Sequence, residues 1–430
     1  MKKIFKKIVI QILTWQSRLI LKKYHPKVIA ITGSVGKTST KDAVYTVLSH
    51  FYSVRKSAKS FNSEIGLPLT ILGCPNGWNN PIVWVENIFL GFGLLIFKHK
   101  YPKYLVLEVG AGKPNDIKSV APWLAPDIVV LTRFPDVPVH VEFFGSTERL
   151  IEEKVYLAQA LKKDGVLIVN HDDKNVYNTH HKIKRRFVSY GFDENATYKA
   201  SYVQMNSTEE KNHTLGMHFK MEYNGSTFPV SMNNIVGMHH VYAGLSALSV
   251  AVESGCDILE AIKALADYHT PPGRLSIISG INESLVIDDT YNASPVAMEA
   301  ALEVLQSIQG KRRIAVLGDM LELGKMTEEA HKKIGRQASG IADIIVLVGP
   351  RSKFIADGVL ECEFNPKNLF SFDSSVTAGK FLLGIIENSD VILAKGSQGI
   401  RMEKAVKMIM DNPNDASKLL CRQEKEWQKR

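Results

Sequence analysis

The 430 residues are 45% hydrophobic and 23% charged, ordinary values for a soluble globular protein of two or three domains. The four cysteines, Cys74, Cys256, Cys362 and Cys421, lie far apart with no Cys-x-x-Cys pair, which argues for a reducing, cytoplasmic setting and against a disulfide framework or a zinc site. The net charge of +9 is concentrated: residues 1–27 carry eight Lys or Arg and no acid, leaving +1 for the other 403 residues and excluding a distributed nucleic-acid face.

Met1 to Lys27 reads as a basic amphipathic helix. Phe5, Ile8, Val9, Ile12, Trp15, Leu19 and Ile20 fall at helical spacing on one face, with Ile10 and Leu13 intruding on the other. It is too interrupted by polar residues to span a bilayer. It suits either an anionic membrane surface, contacted peripherally through residues 2–23, or the flank of the protein body.

Next comes Val28 to Ile31, a buried parallel strand, followed by a glycine turn and a helix that opens at Thr38 and Ser39. Such a turn aims backbone N–H groups and the positive end of a helix dipole at one spot, which suits phosphate. Lys37 is placed to reach β- and γ-phosphates, and the Thr38 hydroxyl to ligate magnesium. The general phosphate-loop pattern would put its first glycine at position 31, which is Ile, so this is a shorter variant.

Residues 74–103 form an apolar insertion. Its stretch from Trp78 to Phe97, broken by Glu86, Asn87 and two glycines, reads as a buried helix pair or loop in preference to a membrane contact. From Tyr104 an α/β rhythm sets in, with strands at Tyr104–Val109, Ile128–Thr132 and Val166–Asn170, and a helix at Glu148–Leu161. Residues 197–232 look β-rich, and Met238–Glu253 and Ile258–Tyr268 read as helices. Thr270-Pro-Pro-Gly-Arg274 breaks the chain, dividing a domain of 28–271 from one of 272–430. The second domain alternates strands at Leu285–Asp289, Arg313–Gly318, Ile344–Val348 and Val391–Lys395 with helices at Pro295–Ile308, Thr327–Ser339 and Arg401–Met410. The charged tail from Ser417 reads either as a helix end or as a frayed segment. The expected fold is therefore α/β: a phosphate-loop domain with a mostly parallel sheet, then a Rossmann-like α/β domain, both preceded by the amphipathic helix.

Polar residues recur where strands end, on the side where such sheets bind ligands. Glu108 closes one strand, a fitting place for a magnesium-holding acid. His140 follows the next, Lys154 lies in the helix after it, Asp288 and Asp289 close a strand of the second domain, and Lys395-Gly396-Ser397 closes another.

Taken together, the chain resembles the Mur ligase family. The resemblance rests on Ile31-Thr-Gly-Ser-Val-Gly-Lys-Thr-Ser39, Asn62-Ser-Glu-Ile-Gly-Leu-Pro68, Leu107-Glu-Val-Gly110 and His140-Val-Glu-Phe-Phe-Gly-Ser146. Pro272-Gly-Arg-Leu275, Asp288-Asp-Thr-Tyr-Asn-Ala293, Leu317-Gly-Asp-Met-Leu-Glu-Leu-Gly324 and Lys395-Gly-Ser397 follow in family order. It implies an ATP site at Gly33, Ser34, Val35, Gly36, Lys37, Thr38, Ser39, Asn62, His240, Arg274, Asp289 and Asn292. It implies magnesium at Thr38, Glu108 and His140, and at Lys154 if carbon dioxide carbamylates that lysine, turning a cation into a carboxylate-like group. Lys37, Glu108, His140, Lys154 and Arg274 become the catalytic set, and Lys395 and Ser397 resemble residues near the incoming amine.

The implied reaction is ATP-dependent amide-bond formation through an acyl phosphate. The donor is a muramoyl-peptide, UDP-linked or lipid-linked, and the acceptor an amino acid or the dipeptide D-Ala-D-Ala. Two departures stand out. The family's UDP-sugar domain normally precedes the phosphate loop by many tens of residues, but about 27 precede it here, so that site is expected to be absent or rebuilt from the 74–103 insertion. Related ligases also usually carry asparagines at positions matching His240 and Ala243, near the adenine. The competing readings are another Mur-like ligase, of folylpolyglutamate or lipid-precursor-amidating type, and a membrane-recruited scaffold that binds nucleotide without turnover.

Overall fold

The computed structural model describes residues 3–58, 64–134, 141–206 and 215–428. Two sheets organise the chain. The first contains β1 (Lys27–Thr32), β2 (Val54–Lys56), β3 (Tyr104–Glu108), β4 (Ile128–Leu131), β5 (Val166–Asn170), β6 (Arg186–Gly191), β7 (Tyr198–Asn206), β8 (Gly216–Tyr223) and β9 (Ser226–Asn233). Their order is β2-β3-β1-β4-β5-β6-β7-β8-β9, parallel through β7 and antiparallel beyond it. The second sheet contains β10 (Ser276–Ser279), β11 (Leu285–Asp289), β12 (Arg313–Gly318), β13 (Ile344–Val348), β14 (Leu369–Phe372) and β15 (Val391–Lys395). It is ordered β10-β11-β15-β12-β13-β14, with only β10 antiparallel.

Strand β1 shows why an unbroken apolar run becomes a central strand. Alternate side chains point to opposite faces. Ile29 and Ile31 join a core with the helices Lys37–Phe51 (α2) and Met238–Glu253, while Val28 and Ala30 join the core on the other face. Every one of these is buried, and burying each large aliphatic side chain contributes about 1.5–3 kcal/mol.

The N-terminal helix α1 (Lys3–Tyr24) packs on two others, α3 (Gly66–Leu72) and α4 (Pro81–Ile96). Its buried stripe is Val9, Leu13, Gln16, Ser17 and Ile20. The face expected from sequence is therefore rotated: Leu13 belongs inside, whereas Ile8 and Trp15 are exposed. The buried stripe also carries a polar contact, Gln16 Nε2 donating to the Ile88 carbonyl of α4 at 2.9 Å.

The apolar stretch at 78–97 also differs from expectation. It forms one helix, capped by Asn80, whose side chain accepts from Ile82 N, with Pro81 in the first turn. Only Trp84, Asn87 and Gly91 are buried along it, and the opposite face is open. Of the two readings of the C-terminal tail, the described residues take the helical one, with short helices at Ala416–Leu419 and Lys425–Gln428. Arg422 is buried and donates to the Thr290 carbonyl and to Glu403 Oε2, both at 3.2 Å, tying the tail to the loop after β11. Strands β2, β6, β10 and β14 were not anticipated.

Candidate active site

Glycine makes the phosphate loop possible. Gly33 has φ +155° and Gly36 φ +86°, both in the region that favours glycine. A Cβ on Gly33 would stand 1.8 Å from Thr132 Oγ1, whose hydroxyl donates to the Val35 carbonyl at 2.7 Å and holds the loop against the end of β4. Helix α2 begins at Lys37, one residue earlier than expected, so the loop's N–H groups and the helix N-terminus face the same space.

That space is a cleft, open to solvent, between the C-terminal ends of the two sheets. The loop supplies Ser34, Val35, Gly36, Thr38 and Ser39 to its wall, and the second sheet supplies Asp289, Asn292 and Lys395. Arg274 reaches in from the connection between them.

Thr38 Oγ1 donates to Glu108 Oε2 at 3.0 Å, so a hydroxyl and a buried carboxylate stand side by side at the ends of α2 and β3. Two hard oxygen donors beside a phosphate loop fit magnesium, which takes one or two protein oxygens and completes its shell with water and phosphate. Among the described residues no cluster of three or more His, Cys, Asp or Glu forms a metal site by itself. His140 and Asn62 lie outside the described residues.

The cations are arranged for an anion. Lys37 Nζ folds back to the carbonyls of Gly33 at 2.8 Å and Ser34 at 3.2 Å. Burial lowers its pKa; Glu108 opposes that shift and Arg274 adds to it. Lys154 Nζ, fully buried, donates to Ser34 Oγ at 2.6 Å, and burial followed by the charge of Lys37 pushes its pKa well down. Arg274 stacks on the Tyr291 ring at 4.2 Å, and its Nε has no hydrogen-bond partner among the described residues. Among the described residues none of these three side chains is ion-paired to a carboxylate. The cleft is short of negative charge where a polyphosphate would supply it.

In the second sheet the register sets Asp289 directly beside Lys395. Lys395 Nζ donates to Asp289 Oδ2 at 2.5 Å and to the Asn292 carbonyl at 3.1 Å; burial lowers its pKa while Asp289 raises it. Ser397 is placed differently from Lys395. Its Oγ accepts from Leu321 N at 2.9 Å and its N donates to the Asp319 carbonyl, so it props the loop after β12 and does not line the cleft.

His240 does not line the cleft either; its neighbour His239 does. His240 is fully buried and neutral, its pKa driven well down first by burial and then by His239. Its Nε2 faces the Arg274 carbonyl at 3.2 Å and its Nδ1 the Tyr268 hydroxyl at 3.2 Å. A carbonyl only accepts, so Nε2 carries the proton and Nδ1 accepts from Tyr268. The histidine thus positions the backbone of Arg274. His239 has its pKa lowered to about 3, by burial and by the charges of Lys395, Arg274 and Arg133, another sign of the positive field in the cleft.

Sequence reasoning missed Lys41, Asn170 and Tyr242. Lys41 is buried on α2 with its Nζ 3.9 Å from Glu108 Oε2. Asn170 ends β5 in the cleft wall, and its amide nitrogen is buried with no partner among the described residues. The strand-end rule that flagged Glu108 points equally to Asn170. Tyr242 and Lys41 give no such signal, being ordinary residues of helices.

A phosphate loop, a strand-end carboxylate beside its threonine, and a second α/β sheet closing the same cleft define a nucleotide-dependent enzyme of two domains. The chain belongs to the Mur ligase family: residues 31–251 match the Mur ligase middle domain and residues 273–398 the Mur ligase, glutamate ligase domain. Among curated relatives, UDP-N-acetylmuramoyl-tripeptide–D-alanyl-D-alanine ligase of Bacillus subtilis is 31% identical over 406 residues, 92% of this chain and 79% of the relative. The enzyme of the same description from Escherichia coli is 29% identical over 395 residues, 90% and 77% of the two chains. The solved structure of MurF ligase from Thermotoga maritima in complex with ADP superposes with a TM-score of 0.75 at 25% identity, covering 93% of this chain and 83% of that one. Folylpolyglutamate synthase of the same organism shares the fold, with a TM-score of 0.62 at 15% identity over 96% and 95% of the two chains.

Proposed function

We propose that the protein is an ATP-dependent, ADP-forming peptide ligase of cell-wall precursor synthesis that joins D-Ala-D-Ala to a muramoyl-tripeptide. The observation that carries this reading is that Thr38, Arg274, Asp289 and Lys395 line one cleft between two sheets, with Glu108 bonded to Thr38 and Lys37 held on the Gly33 and Ser34 carbonyls of the loop that walls it. The relatives' activity supplies the reaction, and the register of the second sheet supplies the wall against which the acceptor would sit.

ATP would lie with its phosphates on the loop, Lys37 and Arg274 offsetting their charge and Asn170 and His239 lining the cleft beyond them. Magnesium, held by Thr38 and Glu108 together with His140, would polarise the γ-phosphate; a carbamylated Lys154 would supply a further carboxylate-like oxygen. The donor's terminal carboxylate attacks the γ-phosphorus and ADP leaves, giving an acyl phosphate. The deprotonated amine of the dipeptide attacks that carbonyl, and phosphate departs. The chain's contribution is positioning and charge neutralisation, with the second domain excluding water from the acyl phosphate.

The donor would arrive UDP-linked or lipid-linked, in the latter case at a cytoplasmic membrane surface met through the basic helix α1. Among the described residues no helix is long and apolar enough to cross a membrane, so the proposed contact is peripheral. The test is ATP turnover with each substrate withheld in turn. Phosphate release that requires both muramoyl-tripeptide and D-Ala-D-Ala is expected, whereas nucleotide binding with no turnover under any combination would leave a scaffold.

A further inference from the structure

The open face of α4 is apolar along its length and most apolar at its C-terminal end. Phe89, Leu90, Ile96 and Phe97 are 55–71% exposed, and Trp15 of α1 continues the surface, its ring 6.2 Å from that of Phe92. The helical spacing of 82, 85, 89, 92 and 96 places these side chains in one stripe. Contiguous apolar surface of this kind marks an interaction site.

Two observations choose the occupant. The first is charge. Lys98 and Lys100 follow the apolar end directly, and Lys22 and Lys23 lie at the adjoining end of α1, all exposed, while the stripe carries one carboxylate, Glu86, nearer its start. An apolar tip collared by cations matches acyl chains beneath anionic headgroups. A second copy would instead bring another set of cations to the interface.

The second is the helix terminus. The last carbonyls of a helix have no intrahelical donor and are normally met by water. Here Lys23 Nζ donates to the carbonyls of Leu94, Leu95 and Phe97 at 2.9, 2.8 and 2.7 Å, and the Tyr24 hydroxyl donates to Leu94 at 2.9 Å. Terminal carbonyls satisfied by protein donors can leave water without the cost of going unpaired. At 16 residues, with a rise of about 1.5 Å each, α4 falls short of the roughly 30 Å hydrocarbon core.

We propose that α4 is the membrane-docking element, lying in the surface of an anionic bilayer with its Phe89–Phe97 end among the acyl chains, and that α1 is the clamp that holds and caps it. This deepens the peripheral contact put forward above and rests on that contact existing, but moves its apolar anchor from α1 to α4.

The test is flotation of the full chain with vesicles of phosphatidylcholine alone or mixed with phosphatidylglycerol. It compares wild type, the double variant Phe89→Glu/Ile96→Glu, the double variant Lys6→Gln/Lys7→Gln, and Leu360→Glu as an exposed apolar control remote in sequence. Thermal melting establishes that each variant is folded, and light scattering gives its mass. Wild type and the control are expected to float with the anionic vesicles, the α4 variant to lose at least about tenfold in partitioning, and all four to share one mass. An α4 variant that floats like wild type overturns the assignment; if the Lys6/Lys7 variant alone loses binding, the membrane contact survives through α1. Wild type that floats with neither vesicle removes the contact altogether. A lower mass for the α4 variant would give the face to a second copy and overturn the proposal as well.

Discussion

Lys154 Nζ donates a 2.6 Å hydrogen bond to Ser34 Oγ, joining the helix Thr147–Gln159 to the phosphate loop across 120 residues of sequence. Burial beside Lys37 lowers its pKa well below that of a free lysine, favouring the neutral amine, the form that attacks carbon dioxide. Stripping bicarbonate should therefore lower turnover and adding it back should restore it. Lys154→Ala should lose about 100-fold or more in kcat and show no response to bicarbonate.

The loop tolerates no side chain at Gly33, where a Cβ would overlap Thr132 Oγ1 at 1.8 Å. Relieving that overlap must break the tie from Thr132 to the Val35 carbonyl. Gly33→Ala should weaken ATP binding by about tenfold to hundredfold, measured by calorimetry, because over-packing a close-fitted site costs about 1–3 kcal/mol.

The Asp289–Lys395 pair is buried, so deleting one partner strands the other. Asp289→Ala should cost about 3–5 kcal/mol in urea denaturation, whereas replacing both by apolar residues should recover part of that loss. The double replacement should still turn over poorly, since both residues line the cleft.

Asp288 makes stability depend on pH. Burial pushes its carboxyl up to about 7 although Thr290 N and Oγ1 both donate to it, so the folded state holds this proton where the unfolded chain has lost it. Stability from this group is full below an unfolded pKa near 3.8 and is lost as pH rises through about 7, a swing on the order of 4 kcal/mol. Asp288→Asn should flatten that fall in denaturation curves taken between pH 4.5 and 8, two values that bracket the folded pKa.

Much of this was legible before the fold was known, and the reason is periodicity. Val166–Asn170, Met238–Glu253, Leu285–Asp289 and Val391–Lys395 were bounded to the residue, because each is an apolar run or stripe that ends in a polar residue or glycine. The edge strands β2 and β14 were not, since their half-exposed residues carry no apolar run. Chemistry at strand ends was readable as position, but not as orientation. Nothing in the sequence around His239-His240 says which ring enters the cleft, and nothing around Ser397 says that its hydroxyl turns to Leu321 N. The rotation of α1 was hidden for a related reason: Gln16 counts as polar in a pattern, yet it lies inside, hydrogen-bonded to the Ile88 carbonyl.

The central claim is amide formation through an acyl phosphate, and isotope transfer tests it most directly. The protein, ATP and magnesium would be mixed with D-Ala-D-Ala and a muramoyl-tripeptide labelled with heavy oxygen in its terminal carboxylate, and the products weighed by mass spectrometry. The joined pentapeptide, together with inorganic phosphate that has gained one heavy oxygen from the donor, is the predicted result. Unlabelled phosphate, or no joined product from either a UDP-linked or a lipid-linked donor, would contradict it.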